Sequence, residues 1–276
     1  MALAVGALHA GAAGSVASAS ATTPAQPADP GTTTGSGTTG TTTGSGKAAG
    51  ATGTSRSSKK TGAAKAGGTP LTPAEIHQAG QRLSELGYWG GTVNGPWDGR
   101  WRQALTAFQK VEWRKRTGVL NRKEWNEIQH AVPPAPRETG PPHLEVDLAR
   151  QVLYWVDQAG KVSRILPISS GSGRPFRAPG WQGVAETPCG HLSVFAKQYG
   201  WKTSPLGVMH NPMYVVGGIA IHGSPDVPPK PVSHGCIRIP MYASQTLTKM
   251  VPRDTPVLVF GCKDEPPAPS VAPSPR

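Results

Sequence analysis

Between residues 70 and 132 apolar residues recur every three or four positions, the period of an amphipathic helix. Thr72-Pro73-Ala74-Glu75 reads as a capping box with proline at the first helical position. Ile76, Ala79, Leu83 and Leu86 then share one face until Gly87 stops the helix. A second helix is predicted from about Asp98, with Trp101, Ala104, Leu105, Phe108 and Val111 as its stripe. A third is predicted from Asn121, with Glu124 three residues on and Trp125, Ile128 and Val132 turned inward. After a Pro-rich stretch over 133–142 the period drops to two. Short strands are predicted at 143–148, 151–156, 162–169, 191–195, 214–222 and 256–260, with a turn at Asp157-Gln158-Ala159-Gly160. One helix fits between Pro240 and Val251. The pattern is that of a small helical module, expected to fold on its own, followed by a mainly β domain.

The remaining segments lack such a pattern. Residues 1–21 are rich in Ala and Gly and end in Ala17-Ser18-Ala19 and Ala19-Ser20-Ala21, which resemble the cleavage end of a secretory signal. Residues 22–69 contain no Leu, Ile, Val or aromatic residue, so they bury too little to offset chain entropy and read as a disordered tether. Residues 133–142 form a stiff linker. The tail over 263–276 repeats the low-complexity character. The domain plan is therefore a signal remnant (1–21), a tether (22–69), a helical module (70–132), a linker (133–142), a β domain (143–262) and a tail.

Charge narrows the partners. The net charge of +12 favours a polyanion or an anionic surface. The excess is spread at +4, +3 and +5 over 1–69, 70–132 and 133–276, whereas a nucleic-acid domain concentrates its basic residues on one element. No nucleic-acid partner is expected. Five of the eight tryptophans lie in the helical module, where they are expected to fill the core before they face a sugar. His191 and His210 are expected at the surface or in packing. Three cysteines are too few for a disulfide scaffold, although Cys189 and Cys262 can pair.

The chemistry concentrates in Ile219-Ala220-Ile221-His222-Gly223, a Pro-rich loop, then Val232-Ser233-His234-Gly235-Cys236-Ile237-Arg238. A thiol beside an imidazole can form a thiolate–imidazolium pair and act as a nucleophile. Gly235 permits close backbone approach and leaves N–H groups for an oxyanion. On residue chemistry alone three readings stand: a nucleophile, a zinc site built on His222, His234 and Cys236, and simple packing of a cysteine.

Two resemblances add to these readings, and the second bears on Cys236. Leu83 with Leu86-Gly87-Tyr88, Val93-Asn94-Gly95, the 104–110 run ALTAFQK and Thr117-Gly118-Val119-Leu120 resemble a peptidoglycan-binding type 1 module. Ile-His-Gly followed by Ser-His-Gly-Cys-Ile-Arg resembles the signature of the L,D-transpeptidase (YkuD-type) catalytic domain, with Thr187-Pro188-Cys189-Gly190 and Ser169-Ser170-Gly171 as further matches. The resemblance implies a multidomain protein with a β-sandwich-like catalytic domain, exported to the cell wall. It implies that Cys236 attacks a tetrapeptide stem of peptidoglycan, releasing D-Ala, and that a second stem resolves the thioester as a 3→3 cross-link. His222 is then the general base, oriented by the Gly223 carbonyl, and N–H groups around His234, Gly235 and Cys236 form the oxyanion hole. Ser233 and Arg238 are implied in substrate contact, Arg238 alternatively in holding the turn. Peptidoglycan stem peptides and glycan are the implied partners, and β-lactams of carbapenem type the implied covalent inhibitors. No cofactor or metal is implied. An L,D-carboxypeptidase or a non-catalytic wall-binding protein are the alternatives.

Overall fold

A computed structural model describes residues 69–263, all within one unit of the chain. The signal remnant, nearly all of the tether and nearly all of the tail lie outside the described residues. Three helices come first: α1 (Pro73–Glu85), α2 (Gly99–Val111) and α3 (Arg122–His130). They lead into strands β1 (His143–Asp147), β2 (Val152–Val156), β3 (Val162–Pro167), β4 (Pro175–Ala178), β5 (Trp181–Val184) and β6 (Gly190–Ser193). Then follow β7 (Ala196–Lys197), β8 (Trp201–Ser204), β9 (Gly207–Val216), β10 (Ile219–Ser224), β11 (Ile237–Pro240), α4 (Met241–Met250) and β12 (Pro256–Phe260). This is a helical N-terminal module and a mainly β domain, as the periodicity predicts. Among the described residues no helix is long and apolar enough to cross a membrane.

The helix starts follow local chemistry. The Thr72 hydroxyl accepts from the Glu75 N–H while the Glu75 carboxylate returns to the Thr72 N–H, completing the capping box. Asp98 and Asn121 cap α2 and α3 in the same way, each accepting from backbone N–H groups of the first turn. Gly87, at φ +91°, ends α1 in a conformation that side chains with a Cβ disfavour. One inward position is corrected: Val132 is 65% exposed, because α3 ends at His130 and the chain turns extended at Ala131.

The β domain is a sandwich. One sheet runs β3-β2-β1-β12-β6 and the other β11-β10-β9-β7, with β8 on β9. Leu144, Leu153 and Leu166 of the first sheet meet Met213, Ile221 and Ile237 of the second in one core, closed by Leu247 of α4. The other face of the first sheet is buried over β1 and β2. Alternation along β2 sends Leu153 and Trp155 to the sandwich core and Val152, Tyr154 and Val156 to the helices, so every residue of β2 is buried. The helical module therefore shares its core with the sheet. Leu83, Trp101, Leu105 and Phe108 share one cluster with Val152, Tyr154 and Ile165.

Polar bonds reinforce that joint. Residues 87–89 pair with the free edge of β3, Trp89 N–H donating to Ile165 O and Ile165 N–H to Gly87 O. Lys110, fully buried, donates from Nζ to Gln151 O at 3.1 Å and Ile168 O at 2.7 Å. Burial pulls its ammonium down to about 7. The Trp expectation holds for Trp101 and Trp125, which are buried, while Trp113 is 62% exposed under the Arg150 guanidinium.

The strand predicted over 214–222 is corrected. It is a hairpin of β9 and β10 that turns at Gly217-Gly218, a pair whose freedom at positive φ suits a two-residue connection. The β4–β5 hairpin and the short strands β7, β8 and β11 have no counterpart in the sequence expectations.

Candidate active site

Strand alternation presents the chemistry. β10 and β11 run parallel, with Ile221 beside Ile237 and His222 beside Arg238. Ile221, Ile237 and Ile239 enter the sandwich core, so His222, Arg238 and Cys236, two residues before Arg238, take the other face. Parallel neighbours cannot be joined by a tight turn. The Pro-rich loop after Ser224 is the return path that this pairing requires, and it delivers Cys236 to the start of β11.

His222 is buried, and its Nδ1 lies 3.0 Å from the carbonyl oxygen of Gly223. With that carbonyl taking the Nδ1 proton, Nε2 of the neutral ring is the basic nitrogen. Burial holds the imidazole down at about 4; the Gly223 carbonyl opposes the shift and the Arg238 charge adds to it. The Cys236 thiol is half-buried and donates to Gly218 O at 3.8 Å. Burial pushes it up, while the Ala220 N–H and the Arg238 charge pull the other way. Both groups therefore rest neutral near pH 7. Burial opposes the expected thiolate–imidazolium pair, because a low-dielectric site penalises both ions. The rate of Cys236 alkylation by iodoacetamide is expected to climb roughly tenfold per pH unit from pH 6 to 8, following the thiolate fraction. A plateau below pH 7 would return the ion pair.

Side chains of neighbouring segments hold the turn over 233–236. Ser233 is buried; its hydroxyl donates to Cys236 O at 2.5 Å and accepts from the Gly235 N–H at 3.0 Å. Two expectations are corrected here. Ser233 is used inside the turn instead of facing a substrate, and the Gly235 N–H is not free for an oxyanion. Gly235 stands at φ +138°, and a Cβ there would lie 2.8 Å from Glu186 O. A Cβ on Gly223 would meet Ser244 Oγ at 2.4 Å, so α4 packs directly on the strand end that carries His222. His234 is exposed, its ring 5.0 Å from that of Phe176 on β4. The zinc reading loses its geometry, since His234 turns to the β4–β5 hairpin, and among the described residues no metal-holding cluster of His, Cys, Asp or Glu forms. Arg238 exchanges two main-chain hydrogen bonds with Ser169, and its charge acts on both His222 and Cys236.

Sequence reasoning missed two contributors and gave a third no role. Gly218 supplies the acceptor for the thiol, Tyr214 pairs with Ala220 beside the site, and Thr187, noted only as a family match, donates to Gly235 O at 2.6 Å. The Gly-Gly hairpin signal at 217–218 would have exposed the first two. The remaining residues fall outside the site. His191 is exposed and pairs with Glu138, His210 bonds the Ser244 hydroxyl, and Cys189 and Cys262 form a disulfide with Cα atoms 6.1 Å apart.

The chain is similar to known proteins over both of its parts. The family model described as the L,D-transpeptidase catalytic domain matches residues 141–259, and that of a putative peptidoglycan binding domain matches 72–128. A crystal structure of an L,D-transpeptidase from Xylanimonas cellulosilytica is 35% identical, covers 69% of this chain and 95% of that one, and superposes with a TM-score of 0.65. An L,D-transpeptidase from Stackebrandtia nassauensis is 18% identical, covering 70% and 93%, with a TM-score of 0.41. The C442S mutant of the Enterococcus faecium L,D-transpeptidase is 28% identical, covering 44% and 50%, with a TM-score of 0.34. No curated protein matches the chain.

Proposed function

For a chain that belongs to the L,D-transpeptidase family, we propose a cell-wall enzyme that makes 3→3 cross-links through a Cys236 thioester. The observation that carries this reading is the placement of a neutral, buried His222 and a half-buried Cys236 thiol on one face of adjacent parallel strands. As the stem's third carbonyl approaches, His222 Nε2 removes the thiol proton and the sulfur adds to the carbonyl carbon. Backbone N–H groups of the 234–236 turn, other than that of Gly235, stabilise the oxyanion. The tetrahedral centre collapses, the C–N bond to D-Ala breaks, and protonated His222 gives its proton to the leaving amine. The side-chain amine of a second stem then attacks the thioester, releases the thiol and forms the new amide.

His222, held at about 4 by burial, is unprotonated throughout the neutral range and so is free to accept the thiol proton. Arg238 lies beside both groups, where it favours thiolate over thiol and disfavours imidazolium. The helical module holds the enzyme on glycan, raising the local concentration of stems. The place of action is extracytoplasmic.

Purified protein incubated with a disaccharide-tetrapeptide is expected to yield dimers that have lost one D-Ala, read by mass spectrometry. Tripeptide products alone would convert the reading to an L,D-carboxypeptidase. A carbapenem is expected to add its full mass to Cys236 as a thioester, because a strained lactam presents the same carbonyl to the same thiol. An adduct mapped elsewhere, or none at neutral pH, would overturn the nucleophile.

A further inference from the structure

Three backbone segments meet behind the 233–236 turn, and one hydroxyl joins them. Thr187 is buried; its Oγ1 donates to Gly235 O at 2.6 Å and accepts from the Gly171 N–H at 3.0 Å. The fit is close. A Cβ on Gly171 would fall 2.3 Å from Ala185 O, and one on Gly235 would fall 2.8 Å from Glu186 O. Gly171 in turn bridges Ser233, whose N–H donates to Ser170 O at 2.9 Å. Two residues beyond Thr187, Cys189 is bonded to Cys262, and the Cys262 sulfur lies 3.9 Å from Thr187 O.

In a planar trans peptide the carbonyl of one residue and the N–H of the next point in opposite directions. Holding Gly235 O on Thr187 therefore aims the Cys236 N–H away from Thr187, on the other side of the turn. We propose that Thr187 is a positioning residue for acyl transfer: its hydroxyl sets the direction of the Cys236 amide as an oxyanion donor, and the Cys189–Cys262 bond anchors the segment that carries it. The proposal rests on the thioester reading above. A hydroxyl is required because one atom must donate to Gly235 and accept from Gly171, which neither valine nor alanine can do.

The test compares the full chain with its Thr187→Val and Thr187→Ser variants in three measurements. Carbapenem acylation of Cys236 needs both thiol and oxyanion donor, and is expected to fall about 10- to 100-fold in Thr187→Val, somewhat less than removal of a whole oxyanion donor. Iodoacetamide alkylation needs only the thiol, and is expected to stay within about twofold. Amide hydrogen exchange over 233–237 is expected to quicken in Thr187→Val. Thr187→Ser is expected to restore acylation and exchange together. Acylation and alkylation falling in parallel, or exchange over 233–237 unchanged in Thr187→Val, would overturn the assignment. If the unsubstituted chain forms no acyl adduct, the thioester reading falls, and the exchange comparison still decides whether Thr187 holds the turn.

Discussion

Replacing Cys236 with alanine is expected to remove cross-linking and β-lactam acylation entirely while the fold survives. The hydrogen bonds that hold the turn come from Ser233, Thr187 and main-chain groups, and none depends on the sulfur. His222→Ala is expected to cost at least about 10³-fold, nearly as much as loss of the thiol, because base and nucleophile act as one unit and their losses do not add. The resting state sharpens this. A thiolate already formed would tolerate loss of its base in the first step, whereas a thiol held protonated by burial does not. His222→Ala is therefore expected to regain part of its activity as the pH is raised and the thiol ionises unaided. His234→Ala, whose ring is exposed on Phe176, is expected to cost less than tenfold. Turnover of a tetrapeptide stem and circular dichroism check all three variants. A larger loss in His234→Ala than in His222→Ala would exchange the roles of the two histidines.

Phe108→Ala is expected to destabilise the helical layer and the sheet together, by about 3–5 kcal/mol. Phe108 is fully buried, its ring edge-on to Tyr88 at 5.5 Å, in the cluster that also contains Val152, Tyr154, Val156 and Ile165 of the first sheet. Each of these sheet residues gains roughly 1.5–3 kcal/mol from being out of water, and the helices are what cover them. Thermal unfolding followed by near-ultraviolet and far-ultraviolet signals is expected to give one transition that shifts as a whole. Two separate transitions, only one of them moved, would restore a helical module that folds alone. For the same reason, the chain from residue 133 onward, without the helices, exposes Val152, Tyr154, Val156 and Ile165 and is expected to aggregate.

Much of this protein could be read from its sequence, and the parts that could share one property. Thr72, Asp98 and Asn121 start their helices through contacts three residues long, so no distant residue was needed to place them. Alternation in 143–147 and a short apolar run in 152–156 marked strands. Residue types around His222 and Cys236 left nucleophile, zinc and packing readings open, and the resemblance of their order to a family signature chose the first.

What the sequence could not decide depended on neighbours far away in the chain. Both β1 and β2 are buried throughout, but only packing reveals that the helical module covers the outer face of β2 while Arg137, Glu138 and Pro141 of the linker meet Glu145 and His143 of β1. Whether Cys236 rests as thiol or thiolate depends on desolvation set against Arg238 and the Ala220 N–H, a balance that spacing does not encode. Ser233 looked like a substrate contact until its hydroxyl was found bonded at both ends within the turn. The pairing of Cys189 with Cys262 spans 73 residues and required β6 and β12 to lie side by side. Local periodicity thus fixed the capped helices and the strands of 143–167, and residue chemistry marked the candidate reactive groups. Tertiary contacts fixed their protonation, orientation and support, because burial and hydrogen-bond partners are properties of the assembled fold.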